Sequence, residues 1–134
     1  MEKPYLSVVC AVILKNDQVL AVKRSETQRL AGYWEFPGGK VEFEESEKHA
    51  IIREIEEELS ITVIPIMTLL PVWWQGESDL IQLIPIVCEF PNGEIVLQEH
   101  AEFRWLGTKD LPSMKWAPAD VSVVKQVVAL MEQF

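Results

Sequence analysis

Acid is concentrated in one stretch of this chain. Glu42, Glu44, Glu45, Glu54, Glu56, Glu57 and Glu58 all lie between residues 39 and 61. Ser46 is a plausible N-cap, and Ile51, Ile52, Ile55 and Leu59 recur at helical spacing, which predicts a helix from Ser46 to about Leu59. At about 100° per residue, Glu54, Glu57 and Glu58 share an arc beside the apolar stripe, while Glu56 points elsewhere. Like charges three and four apart each cost a helix a few tenths of a kcal/mol, so a cation should offset them. Arg53 supplies part of that. A hard divalent ion does it better, because Mg²⁺ takes a few carboxylates together with water and phosphate oxygens. On the helix alone, a merely solvated acidic face is the stronger reading.

Other elements must hold that helix in place. Residues 7–14 read as an apolar strand, Lys15-Asn16-Asp17-Gln18 as a turn, and residues 19–23 as a second strand. Residues 25–32 read as a polar loop, Trp34-Glu35-Phe36 as a short extended piece, and Pro37-Gly38-Gly39 as a break in regular structure. Residues 61–70 and 80–90 are β-rich runs on either side of residues 75–79, which predicts a hairpin, and Pro91-Asn92-Gly93 is a further turn. Residues 102–106 form a short strand, and residues 121–132 a closing amphipathic helix with Asp120 as its candidate cap. Strands interrupted by two well-separated helices predict an α/β fold with a mixed sheet packed between helices. No repeat or linker divides the chain, so residues 1–134 are expected to form one domain.

Composition narrows the partners. A formal net charge of −9 argues against a grip on DNA or RNA polymers, which needs clustered Lys and Arg. It leaves a small nucleotide open, because a metal can bridge acidic protein and acidic phosphate. No apolar run approaches the roughly 20 residues that span a bilayer, so no membrane partner is expected. The first seven residues lack the features of a secretory leader, which points to the cytoplasm. Cys10 and Cys88 sit in apolar runs and read as reduced core thiols.

The residues before the helix change its reading. Gly39, five residues, Glu45, seven residues, then Arg53-Glu54-Ile55-x-Glu57-Glu58-x-x-Ile61 resembles the Nudix box over nearly its whole length. A chance match at six fixed identities is on the order of one in a million per start point. Trp34-Glu35-Phe36-Pro37-Gly38-Gly39-Lys40 looks like the approach to the box in MutT-type members. Trp116-Ala117-Pro118-Ala119-Asp120 looks like their base-recognition segment. The resemblance implies the Nudix α/β/α sandwich. It also implies Mg²⁺-dependent hydrolysis, with Mn²⁺ as a substitute, of a nucleoside triphosphate to monophosphate and pyrophosphate. An oxidised substrate such as 8-oxo-dGTP and a cytidine nucleotide both fit. One position departs, since the box normally ends in Gly where this chain has Ser60. If positive φ is kept there, Ser costs about 1 kcal/mol.

The same resemblance assigns roles. Glu54, Glu57 and Glu58 would be the catalytic carboxylates and metal ligands, with the Gly38 carbonyl as a further ligand and Glu54 as candidate general base. Glu45 and Arg53 would form a supporting pair. Glu99 and Glu102 lie where an extra metal-binding carboxylate is often found, and Glu99 is favoured slightly. Arg24 matches an arginine that contacts substrate phosphates, although an exposed arginine at a strand end reads almost as well. Phe36, Gly38, Gly39 and Lys40 complete the approach to the phosphates, with Lys23 a weaker candidate. Of the tryptophans, Trp105 reads as core, and Trp73 and Trp74 point to opposite faces of a strand. Trp116 is the best candidate for stacking on a base, with Asp120 either reading the base edge or capping the last helix.

Two rivals share the fold. One is hydrolysis of another X-linked nucleoside diphosphate, such as ADP-ribose or a dinucleoside polyphosphate. Those subfamilies tend to carry Pro or Tyr a short way past the box, and residues 76–79 supply neither. The other is a non-catalytic nucleotide-binding domain, which would usually have lost box glutamates that this chain keeps. Neither the preferred base nor the oligomeric state is set by the sequence.

Overall fold

The first apolar run folds as strand β1 (Leu6–Lys15) and returns as β2 (Gln18–Lys23). Asn16 and Asp17 make the tight turn at φ 50° and 63°, a left-handed conformation that these two residue types tolerate. The other elements are strands β3 (Trp34–Glu35) and β4 (Gly38–Lys40), helix α1 (Glu47–Leu59), strands β5 (Ile64–Thr68), β6 (Val72–Gln75), β7 (Leu80–Glu89) and β8 (Glu102–Leu106), and helix α2 (Val121–Met131). This computed structural model describes residues 4–133, so the first three residues of the expected leaderless start lie outside the described residues.

The strands make one mixed sheet in the order β3-β2-β1-β7-β5, with β4 also paired to β1, β6 to β7 and β8 to β2. β1 runs parallel to β7 from Leu6↔Ile81 to Leu14↔Glu89, and the other pairings are antiparallel. Alternation along β1 sorts its side chains between two cores. Val9, Ala11 and Ile13 pack with Ala50, Ile51, Ile55 and Leu59 of α1. Cys10 and Val12 face the other way, with Val123, Val124 and Val127 of α2. The expected arrangement of a mixed sheet between helices is what forms. Cys10 and Cys88 are free and buried in opposite cores.

Three local expectations need correction. Pro37-Gly38-Gly39 does not simply break structure, because Gly38 and Gly39 belong to β4 and pair with Cys10 and Val9. The hairpin at residues 75–79 exists, but β6 leads into it, with Gln75 opposite Leu80; the 61–70 run contributes β5, which pairs separately along β7. Asp120 precedes α2 but makes no side-chain capping bond to it. The helix α1 cap is where it was expected, with Ser46 Oγ accepting from His49 N at 3.1 Å.

Candidate active site

One arginine locks α1 to the loop before it. Arg53 Nε and Nη2 donate to the two oxygens of Glu45 at 2.7 and 2.9 Å, and Nη2 also reaches the Lys40 carbonyl at 3.0 Å. Its Nη1 meets Glu54 Oε1 at 2.8 Å and Glu57 Oε2 at 3.3 Å. A planar guanidinium suits this forked grip. The Arg53 hydrogen bonds, helped by the Glu42 backbone N–H, draw the Glu45 carboxyl down to about 2, and Glu45 in turn raises Arg53. Glu45 and Arg53 therefore form the expected pair, and Arg53 also spans two of the box glutamates.

The two glycines of β4 bring the backbone against that helix. A Cβ at Gly38 would run into the Val9 carbonyl and lie 2.7 Å from Cys10 Cα. A Cβ at Gly39 would collide with the Glu54 carboxylate. Bare backbone here lets Gly38 N donate to Glu58 Oε2 at 3.1 Å. Burial pushes the Glu58 carboxyl up to about 8, with the charges of Glu35, Glu54 and Glu99 adding to it and the Gly38 N–H opposing.

The opposite wall is built from the end of the chain. Trp34 N donates to Lys115 O and Ala117 N to Trp34 O, both at 2.8 Å, so residues 115–117 run alongside β3. That pairing carries Asp120 to Phe36, whose N–H donates to Asp120 Oδ1 at 3.3 Å. Burial pushes the Asp120 carboxyl up to about 8, with Glu35 adding to the effect and the Phe36 N–H and Arg24 opposing it. A carboxyl held protonated here donates a hydrogen bond as well as accepting one. Arg24 lies close by, its Nη1 2.8 Å from Glu35 Oε1, and its Nε bonded to the Arg29 carbonyl.

These walls enclose a cleft of about 580 Å³. Arg24, Phe36, Gly38, Gly39, Lys40, Glu58 and Asp120, all expected from the sequence, line it. Glu54 stands behind Gly39, and Glu57 lies on the outer side of the helix with its side chain 60% exposed. Glu99 sits in an exposed loop tied to the end of α1, where Val96 N donates to Leu59 O at 2.9 Å and Gln98 N to Glu58 O at 3.3 Å. Glu102 is engaged by Lys23 at 3.6 Å and Arg104 at 3.1 Å.

Trp116 is not where a base would meet it. It is 8% exposed, stacks on Phe36 at 4.9 Å, donates Nε1–H to the Leu111 carbonyl at 2.6 Å, and does not line the cleft. Trp116 is a core residue that supports Phe36. The tryptophan on the cleft is Trp74, while Trp73 turns away and packs edge-on against Tyr5 at 4.9 Å. Sequence reasoning also missed Glu35 as a cleft residue. Its signal was alternation, since buried Trp34 and Phe36 on either side leave Glu35 facing the other way.

The donor set fits a hard divalent ion. Carboxylates and a backbone carbonyl are the oxygens that Mg²⁺ and Mn²⁺ take. Burial first, and then the charges of Glu35, Glu54 and Glu99, resist ionisation of Glu58, and such an ion would offset both. Among the described residues no three His, Cys, Asp or Glu side chains stand together closely enough to hold a metal ion by themselves.

The NUDIX domain family model matches residues 4–127. The CTP pyrophosphohydrolase of Escherichia coli is 30% identical over 125 residues, covering 93% of each chain. The 8-oxo-dGTP diphosphatase of the same organism is 26% identical over 116 residues, covering 87% of this chain and 90% of that one. The crystal structure of a MutT protein from Methanosarcina mazei superposes with a TM-score of 0.79 at 30% identity, covering 100% of this chain and 99% of the other. With the box, its glycine approach and the sheet between two helices all in place, the chain belongs to the Nudix family and is a MutT-like hydrolase.

Proposed function

We propose that this protein hydrolyses a nucleoside triphosphate, such as 8-oxo-dGTP or a cytidine nucleotide, to the monophosphate and pyrophosphate in a Mg²⁺-dependent reaction. One observation carries the reading. A single cleft joins Glu58 and the bare Gly38–Gly39 backbone to a recognition wall of Phe36, Trp74 and Asp120. Phosphate chemistry and base selection are thus brought within one substrate's length.

Glu54, Glu57 and Glu58, with Glu99 and the Gly38 carbonyl, would hold Mg²⁺ or Mn²⁺. The bound metal supplies charge neutralisation at the phosphates and a more acidic water. Arg24 and Lys40 bind phosphate oxygens, Arg24 being held ready by Glu35. Glu54 accepts the proton of the attacking water, with Arg53 holding its carboxylate in place. Asp120 reads the base edge, donating or accepting according to its proton, and Trp74 covers the base face. Residues 1–134 act as one domain, and the substrate it meets is a cytoplasmic nucleotide. Among the described residues no helix is long and apolar enough to cross a membrane.

The test is a panel of nucleotides with Mg²⁺, scored by kcat/KM and by the first products released. Monophosphate with pyrophosphate is expected, with a spread of about a hundredfold across bases that narrows about tenfold or more in Asp120→Ala. Nucleoside diphosphate with orthophosphate as first products would refute it, as would turnover confined to ADP-ribose or a dinucleoside polyphosphate.

A further inference from the structure

His100 has no place in the reading above, yet it is buried at the back of the cleft wall with its side chain 2% exposed. Its Nε2 lies 2.8 Å from Glu35 Oε2. The other oxygen of the same carboxylate is the one that holds Arg24 at 2.8 Å. Glu35 is therefore gripped at both oxygens, by Arg24 at Oε1 and by His100 at Oε2. His100 Nδ1 has no partner among the described residues. With the proton on Nε2, the ring donates to Glu35 and leaves only a lone pair buried at Nδ1. The other tautomer would bury an unpaired N–H and turn a lone pair toward a carboxylate.

The backbone delivers this contact. β8 pairs with β2 so that Glu102 lies opposite Lys23, and Ala101 N donates to Lys23 O at 2.9 Å. That places His100 just behind Arg24 and Glu35. On the far side of Glu35 lie the carboxyls of Glu58 and Asp120, both of which feel its charge. A free Glu35 side chain would have more than one rotamer available, and Arg24 would follow it.

We propose that His100 is a positioning residue for substrate binding. It fixes the Glu35 carboxylate in one rotamer, and through it the Arg24 guanidinium, in the orientation that receives substrate phosphate. The proposal rests on the reading of Arg24 as a phosphate ligand, so its test has one arm that needs no turnover.

In the nucleotide-free, metal-free protein, the Arg24 side-chain N–H signals of His100→Leu should broaden or exchange with solvent faster by NMR. His100→Gln, whose amide can still donate to Glu35, should restore them. In Mg²⁺ assays His100→Leu should raise KM three- to tenfold, the worth of one hydrogen bond, with kcat within about twofold. The Gln variant should recover most of that, and His100→Leu should add nothing to Glu35→Gln. Should His100→Leu fail to fold, a variant that keeps His100 still decides: Glu35→Gln should expose the His100 Nε2 proton to exchange about tenfold faster than in the wild type. Unchanged Arg24 signals with unchanged KM in a folded His100→Leu would overturn the proposal, as would an Nε2 proton indifferent to Glu35→Gln. If no nucleotide is turned over, the functional reading fails while the NMR arm still judges His100.

Discussion

The carboxylate of Glu54 occupies the space that a side chain at Gly39 would need. The obstacle is the far end of a flexible side chain, so the fold can yield there while the site cannot. Gly39→Ala should melt within a few degrees of wild type yet lose at least about tenfold in kcat as Glu54 is displaced. Gly38→Ala meets backbone at Val9 and Cys10 instead, and should lose at least about 2 kcal/mol of stability. Urea titrations beside kcat separate the two. Full turnover in Gly39→Ala would mean that Glu54 need not stand where it does.

Among the helix glutamates, Glu57→Gln and Glu58→Gln should each cut kcat at least about a hundredfold, while the fold persists. Glu56, exposed and outside the Arg53 network that holds Glu45, Glu54 and Glu57, should tolerate Gln with little change. Near-normal turnover in the first two would remove the metal-site assignment.

Asp120 gives stability a pH dependence of definite sign. Its carboxyl rises from an ordinary value of 3.8 to about 8 on folding, so the folded state holds the proton more tightly than the unfolded chain. Its contribution is therefore most favourable below the unfolded value and is lost as pH climbs from about 4 through about 8. In metal-free protein, Asp120→Asn should gain urea resistance relative to wild type between about pH 5 and about pH 9. Parallel pH profiles for the two proteins would show that burial does not perturb this group.

Trp74 and Trp73 are adjacent but face opposite ways, and only Trp74 lines the cleft. Trp74→Ala should raise KM by an amount near 1–3 kcal/mol, the scale of base stacking on an aromatic ring. Trp73→Ala should leave KM alone. Equal effects from both would point to loss of β6 rather than of a stacking face.

Ser60 ends α1 at φ 58° and ψ 32°, a left-handed conformation that favours glycine. Ser60→Gly should stabilise the protein by up to about 1 kcal/mol, less whatever the Gln98 contact to its hydroxyl contributes. A lower melting temperature would mean that this contact outweighs the backbone relief.

What the sequence made legible divides along physical lines. Helix α1 and its Ser46 cap are local, set by helical spacing over a few turns, while the Glu45–Arg53 pair was implied by the resemblance. The apolar run at residues 7–14 was legible as a strand, but that its two faces feed two cores is seen only in the fold. The misreadings came from long-range partners. Trp116 was judged by its neighbours Pro118 and Asp120, but its ring is claimed by Phe36, eighty positions earlier by numbering. Gly38 and Gly39 read as a breaker until β1 supplied a strand to pair with. His100 carried no local signal at all, since its partner Glu35 lies 65 residues away.

The parallel seam between β1 and β7 also sets a timetable. Leu6 pairs with Ile81 and, across the neighbouring seam, Lys23 pairs with Glu102. Each closes a loop most of the chain in length, whose entropy must be lost before any ladder bond forms. A nascent chain that ends before β7 has its box helix and glycines on β1, but lacks the strand that covers the other edge of β1 and carries much of both cores. Folding should be slow for a protein of this size, on the millisecond-to-second scale, and largely post-translational. Cutting the chain between α1 and β7 should yield two inert pieces rather than a weakened enzyme.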